Sequence, residues 1–266
     1  MSPLWRNHLR ISLSADSLTL AAYERGLRPG KARSAVTPVQ GNPNDPEWRA
    51  AVDALPGTLA AFGNHEVSVV LADQFVRYAL LPWNPALKSD EQWLALARHR
   101  LGSVHGAAAA EWDVKLTETA PNGPQLACAV DRELLAELSA KLAAANVRLI
   151  SAQPFLVAAF NRIRRTIGNG SCWLLVEEPR PLTLAFIQHG VWVAVRSRRT
   201  DPGWRGALPE LIERESAFLA LSEPCTRVIV CAQHGFDPDM HEAFRTEAVD
   251  YGELALGLTK AARRVA

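Results

Sequence analysis

Between residues 9 and 25 apolar and polar side chains alternate with the two-residue period of a strand, interrupted by the polar turn at 14–17. This predicts a hairpin, with a third strand over 32–39 after a turn at Pro29-Gly30. The period then lengthens. Trp48, Val52, Leu55 and Leu59 share one face of a helix expected over 47–62, with Asp45 as N-cap, Pro46 in its first position and Pro56-Gly57 weakening its middle. Two short strands at 67–71 and 75–81 read as a pair joined through 72–74. A helix capped by Ser89 or Asp90 runs to about Leu101 on the stripe Trp93, Leu94, Ala97 and Leu101, and strands at 112–117 and 125–130 form a hairpin across 121–124. Asp131 caps a helix over 132–145 with leucines at 134, 135, 138 and 142. A strand at 147–150 and a helix over 154–167 then reach the turn Gly168-Asn-Gly170.

Beyond that turn the opening pattern returns. Strands are expected at 173–177, 182–188 and 191–196, followed by a helix near 209–221, a strand at 227–231, a short helix capped by Asp237 and a last helix over 252–264. The tetrapeptide Leu-Thr-Leu-Ala begins at Leu18 and again at Leu182, and a glycine follows at the same offset, Gly26 and Gly190. Two strand–turn–strand units of one design predict a duplicated α/β chain. The expected division is a first half over 1–168, with a helix-and-hairpin insertion at about 84–125, and a second half over 169–266.

Composition narrows the function classes. The chain has 266 residues, 48% apolar and 21% charged, with a formal charge of +1, so no global attraction to nucleic acid or to a membrane surface is expected. The arginine runs at 162–165 and 196–199 read as solvated ends of elements. Cys128, Cys172, Cys225 and Cys231 lie in or beside apolar runs without a CxxC, which predicts buried free thiols in a reducing compartment. The first residues carry no apolar signal segment, and no apolar stretch reaches the about 18 residues of a spanning helix, so a soluble cytoplasmic protein is expected. GxSxG, HExxH and P-loop patterns are absent from the sequence. His99 and His105, and His234 and His241, lack the spacing and companions of a metal site, so no metal is expected. Trp93 and Trp173 fit core faces, whereas Trp83 and Trp204 sit in loops and are expected to be partly exposed.

Three stretches, correct in order and spacing, carry a family resemblance: the first strand–turn–strand unit, VSVVLADQFVRYALLPW at 67–83 with the Trp93 helix after it, and CAVDRELLAELSAKLAAANVRLISAQPFLVAAFN at 128–161. The chain resembles the actin-like ATPase fold and, within it, the pilus-assembly protein PilM, the related MshI proteins and the cytoplasmic part of the secretion protein GspL. The resemblance implies an actin-like (RNase H-like) duplicated fold with two α/β halves around a cleft. It also implies a cytoplasmic scaffold of a type IV pilus or type II secretion platform, peripheral to the inner membrane through protein contacts. In PilM-like proteins the cytoplasmic tail of a PilN-like single-span membrane protein docks on the first domain, and GspL-like proteins contact the secretion ATPase. For this chain the tail is expected near apolar pockets at Phe75, Tyr78 and Trp83 and the helix over 132–145.

Nucleotide chemistry in this fold needs an Asp with a Gly two residues on in the first turn of each half, a Lys or polar residue further along the hairpin, and a Gly-Gly pair after a late strand. Counting back from Leu18, these positions fall on Ser12 and Ser14, with Thr19 in the lysine position. In the second half they fall on Val176 and Glu178, or on Glu177 and Pro179 after a one-residue slip, and Gly235 stands alone after the late strand. Asp16 reads as a turn cap. Glu177 and Glu178 would each repel a nearby phosphate charge by about 1–4 kcal/mol. No catalytic residue and no resident cofactor are therefore expected, and Ser12, Ser14, Thr19 and Glu177 are expected to line or close the cleft. The alternative is an atypical ATPase or kinase, with Asp16, Glu177 and Glu178 on Mg²⁺ and Thr19 at the phosphate of ATP.

Overall fold

The chain is described by a computed structural model over residues 8–23, 33–117, 122–178, 181–199, 203–221, 223–232, 237 and 244–250. The elements are β1 (His8–Leu13), β2 (Ser17–Tyr23), β3 (Arg33–Pro38), α1 (Arg49–Asp53), α2 (Leu55–Leu59), β4 (Glu66–Leu71), β5 (Val76–Leu81), α3 (Asp90–His105), β6 (Trp112–Leu116), β7 (Gln125–Asp131), α4 (Arg132–Ala144), β8 (Arg148–Pro154), α5 (Phe155–Ile167), β9 (Ser171–Glu177), β10 (Leu182–Gln188), β11 (Val191–Arg198), α6 (Leu208–Phe218), β12 (Arg227–Ala232) and β13 (Arg245–Asp250). Gly26, Gly235, His234 and His241, and the helix expected over 252–264, lie outside the described residues.

Two five-stranded sheets repeat one topology. The first has the order β3-β2-β1-β4-β8 and the second β11-β10-β9-β12-β13. In each, an antiparallel meander is extended by parallel strands that return through helices, because parallel neighbours need a crossover. Leu13 pairs with Leu18 across the first hairpin, and Glu177 with Leu182 across the second. The shared register makes Leu18 and Leu182 equivalent, and fixes Ser12 with Val176, Leu13 with Glu177 and Ser14 with Glu178. The one-residue slip is thereby ruled out. At the far end of the second hairpin the link between β10 and β11 is only His189-Gly190, both at positive φ (53° and 76°), the left-handed pair that a two-residue hairpin requires.

The strands 67–71 and 75–81 do not pair with one another, correcting the sequence expectation. Ala72 N–H bonds to Leu13 O, and a single 3-10 turn at Asp73–Phe75 then lifts the chain out of the first sheet. β5 joins β7 and β6 in a separate three-stranded sheet, order β5-β7-β6. β5 and β7 flank the 84–125 stretch, which supplies β6 and α3, and α3 packs on this sheet. α3 begins with a capping box between Ser89 and Gln92 and runs four residues past Leu101 to His105. The helix expected over 47–62 is two short ones, α1 and α2, separated at Ala54 beside Pro56, which offers no N–H to continue the first.

Burial follows strand alternation. In β9, Cys172, Leu174 and Val176 belong to a core shared with the first sheet, while Trp173 and Leu175 pack with α6 in a second cluster. α5 contacts β4 and β8 of the first sheet and β9 of the second, tying the halves together. Its buried face carries Phe155, Leu156, Ala159 and Ile163, and each large apolar side chain so buried contributes about 1.5–3 kcal/mol. The four cysteines are free, and burial pushes the thiols of Cys128 and Cys172 up to about 12, leaving them unreactive at neutral pH. Trp204, expected to be partly exposed, is buried, because its ring packs in the α6 cluster and its indole N–H has an acceptor.

Candidate functional site: the two hairpin turns and the junction of the halves

The first turn is closed upon itself. Ser14 Oγ donates to Asp16 Oδ1 at 2.6 Å, Ser17 Oγ donates to the same oxygen at 3.1 Å, and Ser17 N–H donates to Ser14 Oγ at 3.1 Å. Ser14 N–H is held by Ser17 O at 2.9 Å. Ser12 and Ser14 are buried, Thr19 is half-buried and Asp16 is exposed. The N–H and hydroxyl groups of Ser14 and Ser17 are thus engaged locally, as small polar residues in a four-residue turn tend to be.

The second turn is organised by long-range contacts. Glu177 is bound within the second half: its Oε1 accepts from Trp204 Nε1 and Arg205 Nε, each at 3.1 Å, and its Oε2 from an Arg205 terminal nitrogen at 2.5 Å. Glu178, buried, crosses to the first half instead, where Oε2 accepts from Gln74 N–H at 3.2 Å. Asp16, Glu177 and Glu178 therefore have separate partners. Among the described residues no group of three or more His, Cys, Asp or Glu side chains is placed to hold a metal ion.

One residue at this junction escaped sequence reasoning. Asp73, in the 3-10 turn after β4, is 1% exposed. Its Oδ1 accepts from Tyr78 Oη at 2.5 Å and from Leu156 N–H at 3.0 Å. Leu156 is in the first turn of α5, whose N-cap position holds Pro154, a residue with no side-chain acceptor, so Asp73 caps that helix from 83 residues away. Burial pushes the Asp73 carboxyl up from 3.8 to about 6, while the bonds from Tyr78 and Leu156 pull the other way. The visible signal was an aspartate inside an apolar run followed, much later, by a helix starting at proline.

The three expected partner residues do not converge. Phe75 is buried and lines a groove of about 210 Å³ with Trp48 and Trp112, between the α1 region and the small sheet. Tyr78 faces the junction with the second half through Asp73. Trp83 lies past the end of β5, 40% exposed and stacked on Trp93 at 5.7 Å.

Similar folds are known. A Bacteroides thetaiotaomicron protein with an actin-like ATPase fold and unknown function matches 98% of this chain and 100% of its own length, with a TM-score of 0.65 at 11% identity. The chain has the actin-like fold. In a PilM–PilN type IV pilus biogenesis complex a solved chain matches over 93% of this chain and 89% of its own, with a TM-score of 0.63 at 13% identity. The cytoplasmic domain of EpsL, an inner-membrane component of the type II secretion system of Vibrio cholerae, matches over 96% and 97%, with a TM-score of 0.61 at 12% identity. No family model and no curated protein matches the sequence. The fold anticipated from the repeated tetrapeptide is the one observed, and likeness to PilM and the EpsL cytoplasmic domain extends over nearly the whole chain.

Proposed function

We propose that this chain is a non-catalytic scaffold of an inner-membrane assembly platform, of the type IV pilus or type II secretion kind, and that it holds the cytoplasmic tail of a PilN-like single-span membrane protein. The observation that carries the reading is the near full-length match in fold to PilM and the EpsL cytoplasmic domain. The turn geometry supports the non-catalytic part: the first turn's polar groups bond to one another, and Glu177 is held by Arg205 and Trp204. Among the described residues no helix is long and apolar enough to cross a membrane. Protein contact is then the route by which the chain is held at the inner membrane, and a secretion or pilus ATPase is a further candidate partner.

The tail is placed in the groove over Trp48, Phe75 and Trp112, because a disordered segment must bury enough apolar surface to offset its ordering cost. Two measurements test the reading. Thermal denaturation with and without Mg·ATP should show no shift, whereas a functional site at ligand a hundred times Kd would add about 2.7 kcal/mol. Titration with cytoplasmic tail peptides should show binding that weakens by roughly thirtyfold in Trp112→Ala, the loss of about 2 kcal/mol typical of an interface hot spot. A thermal shift with Mg·ATP would instead favour an atypical ATPase or kinase.

A further inference from the structure

Among the described residues six strands end a sheet: β3 and β8 in the first, β11 and β13 in the second, β5 and β6 in the third. An edge strand offers a row of unpaired N–H and C=O groups, and proteins blunt it with charges, bulges, proline or a covering element. All but one of these edges are blunted. β8 carries Arg148 and Pro154 at its ends and shifts register beside Val67. β11 carries Arg196 and Arg198, β5 carries Arg77, and these two strands also lie against one another. β6 carries Asp113 and Lys115, and β13 carries Glu247. β3 differs. Its residues 34–37 read Ser-Ala-Val-Thr, without a charge and without a register shift against β2. Ser34, Ala35 and Val36 are exposed, Val36 to 66%.

Register fixes which groups of β3 face outward. Val39 N–H donates to Asp16 O at 2.8 Å, so Thr37 and Ala35, opposite Leu18 and Leu20, also turn their backbone groups to β2. Ser34, Val36 and Pro38 turn theirs away, and Pro38 has no N–H to give. What remains is Ser34 and Val36, each with an N–H and a C=O. These complement a second copy of themselves run antiparallel: Ser34 of each copy faces Val36 of the other, and each donates and accepts. No charged residue lies within 34–38, so the two-fold pairing sets no like charges opposite one another. Ala35 meets its own copy at the axis, and Val36 and its copy become diagonal neighbours on one face. A longer extended segment from another protein would run on to Pro38, where the ladder has no donor.

We infer that β3 is the contact strand of a homodimer, in which the first sheets of two copies join antiparallel into one continuous sheet across a two-fold axis beside Ala35. The inference does not depend on the scaffold reading, since β3 shares no residue with the groove assigned to the tail. Sedimentation of the full chain at high micromolar concentration should show a dimer. Val36→Pro removes an outward N–H from each copy and is a change that an edge strand tolerates, so it should weaken dimerisation about tenfold or more with the fold intact. In Ala35→Cys the two thiols meet at a non-hydrogen-bonded position, where Cα atoms are about 4.5 Å apart and within disulfide reach. Mild oxidation should link that variant into a covalent dimer, whereas Gln40→Cys, whose copies lie at opposite ends of the pair, should stay unlinked. A monomeric native chain, or linking of Ala35→Cys no faster than of Gln40→Cys, overturns the inference. A dimer that Val36→Pro leaves unchanged rests on another face and overturns it too. So does a chain that stays monomeric and cross-links through Ala35→Cys to a cysteine-bearing tail peptide, which gives the edge to that partner instead.

Discussion

The two hairpins of the duplicated plan share register, turn length and the buried tetrapeptide, yet their turns have diverged in opposite ways. In the first, the side chains of Ser14, Asp16 and Ser17 bond to one another, and Val39 of the neighbouring strand end donates to the Asp16 carbonyl. In the second, the residue equivalent to Ser14 is Glu178, which is buried and bonded to the backbone of the other half, and the residue equivalent to the apolar Leu13 is Glu177, bound to Arg205. The equivalent threonines differ too. Thr19 is half-buried, whereas Thr183 is fully buried with its hydroxyl 3.2 Å from Ser197 Oγ. What the two hairpins share is packing, and where they differ is in the partners of their turn side chains. The duplicated hairpins can therefore keep one packing while their turns differ, because core packing and turn chemistry are carried by different residues.

The largest test of this comparison is in the core. Leu18 and Leu182 are equivalent and at most 1% exposed, so Leu18→Ala and Leu182→Ala should each cost about 2–5 kcal/mol in denaturant unfolding. Costs differing by more than about 2 kcal/mol would break the equivalence at the level of packing. Next in size is pH. Asp73 titrates near 6 in the folded chain and at 3.8 when unfolded, so the folded state holds the proton more tightly. Its contribution is fully present below pH 4 and is lost as pH rises through 6, by up to about 3 kcal/mol. Subtracting the Asp73→Asn stability profile from that of the native chain should isolate this fall. A flat difference between pH 4 and 7 would show that the Asp73 carboxyl is solvated in the folded chain.

The turns themselves supply a smaller contrast. Glu178→Ala strands Gln74 N–H at the junction and should cost about 1–3 kcal/mol, whereas Ser14→Ala removes bonds confined to one turn and should cost about 1 kcal/mol. Equal effects would mean that the second turn is as self-contained as the first. Smallest of all, Trp83→Ala removes an exposed ring stacked on Trp93 and should cost about 0.5–1.5 kcal/mol in stability.

The elements with strong periodicity were legible in the sequence. The leucine face of α4 with its Asp131 cap, the capped α3, and the paired strands around both tetrapeptides are all present. Less legible was β13, whose sequence Arg-Thr-Glu-Ala-Val-Asp has too few apolar residues to mark a strand and is held by parallel pairing to β12. The split of β4 from β5 was hidden as well, because the turn at Asp73–Phe75 serves two sheets and its residues could equally close a hairpin. Trp204 was misjudged because its loop context said nothing of the acceptor on Glu177.

By itself, then, the sequence determined the α/β class, the duplication and most element boundaries, since these depend on residue type and on neighbours a few positions apart. Tertiary structure alone decided the register that equates Glu178 with Ser14, the pairing of Glu177 with Arg205, the crossing of Glu178 to Gln74 and the burial of Asp73 against α5. The physical reason is separation. Gln74 and Glu178 are 104 residues apart, and Asp73 and Leu156 are 83 apart. A hydrogen bond between such groups leaves no periodic trace, and its partners are chosen only when the two sheets pack around α5.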